Sequence, residues 1–107
     1  MVGPEGYEVS TLLTGAQARK LLSSIIANGT VVILPHARLA ADDDGKADVD
    51  IWNVLKAGQI HEPGEWNGQF QQWRYRFHTV RFAVAIAFEE TSSCVVVTFW
   101  EKKGAPR

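Results

Sequence analysis

The sequence has few of the features that indicate disulfide, metal or membrane chemistry. Its 107 residues include a single cysteine, Cys94, which excludes an internal disulfide and a cysteine-cluster zinc site. The longest apolar runs, such as residues 82–88, are far shorter than the roughly 20 residues that span a bilayer, and no charged-then-apolar leader opens the chain. These absences predict a cytoplasmic protein with no membrane association.

Motifs for metals and cofactors are also absent. The three histidines, His36, His61 and His78, are too scattered for a metal-ligand motif, and the acidic run of residues 42–44 lacks the spaced ligands of a calcium loop. The sequence contains no glycine-rich phosphate loop, no nucleophile elbow and no paired-carboxylate signature. We therefore expect neither a metal nor a cofactor.

The charge of the chain is unevenly distributed. Residues 1–66 carry nine acids and five bases, whereas residues 67–107 carry three acids and six bases, so that a net charge of -1 conceals a basic carboxy-terminal part. A local excess of positive charge points to a polyanion or an acidic partner, although simple solubilising charge is the plainer interpretation.

The hydrophobic pattern predicts an α+β fold. Thr14 to Gln17 has the spacing of a capping box and opens an amphipathic helix that ends at Asn28-Gly29, and Asp48 is expected to cap a second helix that ends at Gly58. A helix beginning at Ala37 is expected to be short, because the acidic run follows. Strands are predicted at residues 31–34, 71–77, 80–89 and 94–102, with a further edge strand at residues 59–61.

These elements make one domain over residues 1–107, preceded by a loose leader at residues 1–10. Two amino-terminal helices are expected to pack on one face of a four- to five-stranded, mainly antiparallel sheet.

Alternation along the last three strands predicts a sheet with two unlike faces. If His78-Thr79 is the tip of the first hairpin, Arg76 lies opposite Arg81 and the apolar sets agree; a one-residue slip would bury the charge of Arg81. The helices then cover the apolar face, which includes Trp73, Tyr75, Phe77, Val84, Ile86, Phe88, Val95, Val97 and Phe99. The opposite, open face carries Arg74, Arg76, Arg81, Ala83, Ala85, Ala87, Val96, Thr98 and Trp100.

Two interpretations of the arginines remain open. Glu62, Glu65 or Glu101 can neutralise Arg76 and Arg81, which would make their role structural. Alternatively, guanidinium groups beside small residues and an aromatic ring suit phosphate binding and base stacking.

Four segments of the sequence resemble a known family. They are LPHARL, VDIWNVLKAGQI, WRYRFHTVRFAVAIA and CVVVTFWE, and their order and spacing are similar to those of the small bacterial proteins of domain of unknown function 4258. That family looks like part of the RelE-like toxin superfamily, which includes messenger-RNA interferases of toxin-antitoxin systems. The resemblance implies a RelE-like fold and marks His36, Arg38 and Thr98 as family-pattern residues. It departs at residues 41–44, where acidic side chains replace a second arginine that family members often carry.

The resulting hypothesis is a metal-independent ribonuclease toxin of the interferase type, with RNA and a cognate antitoxin as partners. A base would take the 2'-hydroxyl proton, cations would stabilise the phosphorane, and an acid would protonate the leaving oxygen. The candidate catalytic residues are His36, His78, Arg76 and Arg81, and the candidate substrate-binding residues are Arg38, Arg74, Thr98 and Trp100. The alternatives are a non-catalytic module with a degenerate RelE-like site that binds a protein partner, and a binder of a small anion.

Overall fold

A computed structural model describes residues 7–43 and 45–102. In chain order, the elements of this part are α1 (Gly15–Asn28), β1 (Thr30–Ile33), α2 (Pro35–Asp43), α3 (Asp48–Ala57), β2 (Glu65–Asn67), β3 (Gln72–His78), β4 (Phe82–Glu90) and β5 (Ser93–Glu101). The strands form one sheet in the order β1-β5-β4-β3-β2. The α+β class is confirmed. A loose leader was predicted for residues 1–10, and residues 1–6 of it lie outside the described residues.

Two details of the predicted architecture are wrong. The sheet is mixed, because β1 runs parallel to β5 while the other neighbouring strands are antiparallel. The described part also has a third helix, α2, which runs for nine residues, where at most a short helix from Ala37 was expected and only two helices were counted in the fold. Pro35 occupies its first turn, where a missing N–H is no cost, and the buried Ala37 and Ala41 pack it onto the core.

Local capping explains where α1 begins and ends. The Thr14 hydroxyl accepts a hydrogen bond from the Gln17 N–H at 3.1 Å, and the Gln17 side chain accepts one from the Thr14 N–H at 3.0 Å. At the other end, the Gly29 N–H donates to the Ile25 carbonyl at 2.7 Å. The predicted capping box is therefore confirmed. Asp48, by contrast, is the first residue of α3 and does not cap it; the Ala47 N–H instead donates to the Asp50 carboxylate at 2.9 Å.

The core lies between the helices and one face of the sheet. The helices contribute Ala18, Leu21, Leu22, Ile25, Ala37, Ala41, Ile51, Val54 and Leu55, and the strands contribute Ile33, Tyr75, Phe77, Val84, Ile86, Phe88, Cys94, Val96 and Phe99. Within the described residues, no helix is long and apolar enough to cross a membrane.

In the first hairpin, the side chains lie on the predicted faces of the sheet, but the two strands pair in a different register. Phe77 pairs with Val84 rather than with Val80, and Arg76 pairs with Ala85 rather than with Arg81. Alternation fixes which face a side chain occupies, but a shift by an even number of residues leaves that face unchanged. Arg81 therefore lies in the connection between β3 and β4, away from Arg76.

A bulge in β5 changes the predicted inner face of that strand. Ala85 pairs with Thr98 and Ile86 with Val96, so Val97 is an extra residue in the ladder. The core consequently receives Val96 and Phe99, whereas Val95 and Val97 had been expected there. The predicted edge strand at residues 59–61 reduces to one bridge between Gln59 and His78, and β2 forms the edge of the sheet.

Candidate functional site

Three rows of side chains cross the face of the sheet that the helices leave open. Each row begins on β3, crosses an alanine of β4 and ends on β5. The rows are Arg74–Ala87–Val95, Arg76–Ala85–Thr98 and His78–Ala83–Trp100. The middle residue of each row is alanine, so the face forms a shallow floor along β4. The larger side chains of β3 and β5 lie on either side.

A cleft of about 520 Å³ occupies this floor, and we name it the Trp100 cleft. Arg74 and Arg76 line it from β3, Thr98 and Trp100 line it from β5, and Glu65 of β2 closes its outer wall. Four of the eight site residues predicted from the sequence thus meet in one cleft. A bound molecule would find a guanidinium, a hydroxyl and an indole within the same space.

The two arginines of the cleft differ in their partners. Arg76 Nη2 lies 2.6 Å from Glu65 Oε1, so its charge is already balanced. Arg74 forms no ion pair with any described carboxylate. Its Nε donates to the side-chain oxygen of Gln72 at 3.1 Å, and its guanidinium carbon lies 5.3 Å from the centre of the Phe70 ring. Arg74 is therefore the guanidinium best able to bind an anion.

His78 ends the third row and belongs to a partly buried polar cluster. Its Nε2 lies 2.6 Å from Glu62 Oε1, and its side chain is 11% exposed. The His61 ring stacks on it with 5.0 Å between centroids, and the Trp100 ring meets it edge-on at 6.5 Å. The His78 Nδ1 atom is buried and makes no hydrogen bond to a described residue. A carboxylate at Nε2 favours the proton on that nitrogen and leaves Nδ1 as the basic atom.

A second cavity, of about 480 Å³, adjoins the first, and we name it the Phe70 cavity. Arg74 borders both spaces. The walls of the second are mainly apolar, formed by Leu34, Phe70, Val95 and Val97, with His36, Gln72 and Glu89 at the margin. His36 lies in the first turn of α2 and is exposed. The structure therefore brings His36 near Arg74, at the end of the face opposite to His78 and Trp100.

Three of the predicted site residues, His78, Arg81 and Arg38, line neither space. Arg81 immediately precedes β4, and its Nε donates a hydrogen bond to Glu101 Oε2 at 2.9 Å. Arg38 forms an exposed, bidentate ion pair with Asp48, in which its Nη2 lies 3.0 Å from Asp48 Oδ2. The hydrogen bond and the charge of Asp48 raise the pKa of Arg38. Their roles stay predictions, and their geometry supports a structural contact in each case.

Sequence reasoning missed three residues of the site. Phe70 is a lone apolar residue in a polar turn, 60% exposed, and that isolation is the signal that could have singled it out. The turn is shaped by a hydrogen bond from the Phe70 N–H to Asn67 at 2.9 Å and by the positive φ of Gln71. Glu62 and Glu89 carry no comparable signal, because their positions depend on the tertiary fold.

The fold and the two spaces define the class of the molecule as an α+β protein with a cleft on the uncovered face of its sheet. Comparison of the chain with models of protein families, with curated proteins and with solved structures finds no match in any of the three. Among the described residues, no group of three or more His, Cys, Asp and Glu side chains is arranged to hold a metal ion.

Proposed function

We propose that this chain binds RNA across the open face of its sheet and cleaves it without a metal ion, as an interferase-like toxin of the RelE-like class. The observation that carries the proposal is the meeting of Arg74, Arg76, Thr98 and Trp100 in one cleft that is also lined by the small Ala85. We propose a cognate antitoxin protein as its natural inhibitor.

The binding chemistry follows from these side chains. A guanidinium forms two parallel hydrogen bonds to a phosphate, and Arg74 has no competing carboxylate within ion-pair distance among the described residues. An aromatic ring stacks on a base for roughly 1–3 kcal/mol, and Trp100 is the aromatic residue at the other side of the floor. Ala85, between Arg76 and Thr98 in the cleft, is small enough to leave room for the sugar-phosphate backbone.

Cleavage requires a base, an acid and a cation around one phosphate. A base accepts the 2'-hydroxyl proton, the 2' oxygen forms a bond to phosphorus, and the bond from phosphorus to the 5' oxygen breaks as an acid supplies a proton to that oxygen. The products are a 2',3'-cyclic phosphate and a 5'-hydroxyl. His36 or His78 would serve as acid or base; because the two lie at opposite ends of the face, one phosphate can meet only one of them, and Arg74, which borders the same cavity as His36, or Arg76 would stabilise the negative charge on the phosphorane.

The test is incubation of the purified protein with a labelled RNA in the presence of EDTA, with analysis of the product ends. We expect a cyclic phosphate, loss of cleavage in Arg74→Ala and His36→Ala, and a weakened affinity in Trp100→Ala. Lys56→Ala is the control, because Lys56 is an exposed cation in the last turn of α3 and lies outside both spaces. Absence of cleavage, or equal effects of Arg74→Ala and Lys56→Ala, would refute the proposed activity.

One observation favours a second candidate, a non-catalytic module that binds an anionic ligand or a protein partner. Arg76 and Arg81 are each paired with a glutamate, and His78 is largely buried, so the site resembles a ribonuclease site that has lost its free catalytic groups. This module would be stabilised thermally by nucleotides or inorganic phosphate without turnover of RNA, and its expression would not arrest a host that lacks an antitoxin. Growth arrest on expression that depends on His36 would exclude it.

A further inference from the structure

The Phe70 cavity contains two opposite charges that do not meet. Arg74 and Glu89 both border it, yet they form no ion pair in the part of the chain that the structure describes. Glu89 lies at an irregularity in the pairing of β4 with β5, between Phe88 and Glu90. Such irregularities redirect a side chain out of the regular alternation. The cavity is thus bordered by an exposed carboxylate and by a guanidinium that do not pair with each other.

The walls between these charges suit a planar apolar group. Leu34, Val95 and Val97 line the cavity together with the Phe70 ring, which is more than half exposed. A volume of about 480 Å³ lies within the range of small-ligand sites, roughly 300–1,000 Å³. A nucleobase presents a flat face to such walls, and its stacking on an aromatic ring is independent of sequence.

We infer that the Phe70 cavity is a second base-binding site, in which Glu89 selects bases that carry an exocyclic amino group. This inference rests on the proposed function and deepens it. Arg74 borders both spaces, so a phosphate bound to it would join one nucleotide in the Trp100 cleft to its neighbour in the Phe70 cavity. The Glu89 carboxylate then accepts a hydrogen bond from the base edge.

Glu89 would distinguish bases by whether the edge that faces it donates or accepts a hydrogen bond. An ionised carboxylate only accepts hydrogen bonds. Cytosine offers an amino group at position 4, which a glutamate accepts from, whereas uracil offers a carbonyl oxygen at the same position. The two bases are alike in size and shape, so they differ mainly in this contact. A carbonyl oxygen facing Glu89 would be repelled, and the site should therefore prefer cytosine.

The experiment measures binding of fluorescent 2'-O-methyl oligocytidine and oligouridine of equal length by anisotropy, so that no cleavage occurs. We expect the wild-type protein to bind oligocytidine at least about fivefold more tightly, the lower limit for one good side-chain contact to a base. In Glu89→Gln the preference should fall to less than about twofold, because an amide both donates and accepts.

Glu90→Gln is the matched control. Glu90 is an exposed neighbour of Glu89 that borders neither space, so its substitution changes the net charge equally without touching the base. Retained preference in Glu90→Gln and lost preference in Glu89→Gln support the site. Equal binding of both oligonucleotides to the wild type, or equal behaviour of the two variants, overturns it while RNA binding stands. If neither oligonucleotide binds, the proposed RNA-binding function fails as well.

Discussion

The hydrogen bond between the Tyr75 hydroxyl and the Leu13 N–H gives the sharpest test of the fold beneath the site. The donor nitrogen and the acceptor oxygen are 2.9 Å apart, and the two residues are only 2% and 5% exposed. Tyr75→Phe keeps the ring, which packs at 5.5 Å from that of Phe88, but it leaves a buried N–H without an acceptor. An unsatisfied buried polar group costs about 1–3 kcal/mol.

We therefore expect Tyr75→Phe to lower the free energy of unfolding by about 2 kcal/mol, which for a domain of this size corresponds to a fall in Tm of roughly 8–15 °C. Urea denaturation at neutral pH measures the change, with an unaltered m-value showing that the transition is still two-state. Thr11→Ala is the control, because it removes an exposed hydroxyl that donates to the Glu8 carbonyl in the same segment. Its cost should stay within about 0.5 kcal/mol.

The same pair has a pH dependence of definite sign. Burial raises the pKa of Tyr75 above its usual value, while the hydrogen bond from the Leu13 backbone opposes the shift. The unfolded phenol loses its proton at lower pH than the folded one, so the contribution of Tyr75 is complete below pH 10 and declines as the pH rises above that value. Above pH 10, the free energies of unfolding of wild type and Tyr75→Phe should therefore converge. A Tyr75→Phe variant as stable as wild type at pH 7, or no more affected than Thr11→Ala, would refute the reasoning.

Three further predictions concern the core and the connections. Burial raises the pKa of Cys94 to about 12 from an unfolded value of 9.0. Between pH 8 and pH 10, wild type should therefore lose about 1.4 kcal/mol more free energy of unfolding than Cys94→Ala, as measured by urea titration. Parallel curves of unfolding free energy against pH for the two proteins would contradict this. Thr14→Ala removes the cap of α1 and should cost about 1 kcal/mol by thermal denaturation, and an unchanged Tm would show that the cap is dispensable. Gly29→Ala would place a Cβ in steric clash with the Ser92 carbonyl oxygen and should cost about 1–3 kcal/mol by thermal denaturation. Gly68→Ala, whose Cβ would have its nearest neighbour at 3.8 Å, should cost less than half as much.

The sequence predicts the faces of the sheet better than its registers. Tyr75 and Phe77 are buried and Arg74 and Arg76 lie on the open face, as period-two alternation requires. The position of Arg81 could not be predicted from that alternation, because a hairpin with a longer loop preserves every face while moving each partner.

The bulge at Val97 was hidden for a different reason. Residues 95–97 are three consecutive valines, and any of them fits either face of a strand, so hydrophobicity does not show which is the extra residue. The bulge turns Val96 to the core and leaves Val95 and Val97 to line the Phe70 cavity, whereas Phe99 faces the core and Thr98 and Trp100 face the cleft as predicted. Likewise, the contact between Glu62 and His78 joins a loop to a strand, and no local pattern encodes it.

The pairing of charges across the open face bears on which ligand the site suits. Glu65 balances Arg76, Glu62 contacts His78, and Glu101 balances Arg81. Among the described residues, Arg74 alone brings a guanidinium without a carboxylate partner to the cleft. An acidic protein segment would need several unpaired cations to offset its desolvation. A nucleotide needs one cation for its phosphate and takes the rest of its binding energy from aromatic and apolar contacts, which Trp100 and the walls of the Phe70 cavity provide. Under the proposed function, this distribution of partners suits a nucleotide better than an acidic peptide, and we expect contacts to the bases to contribute more of the affinity than contacts to the backbone.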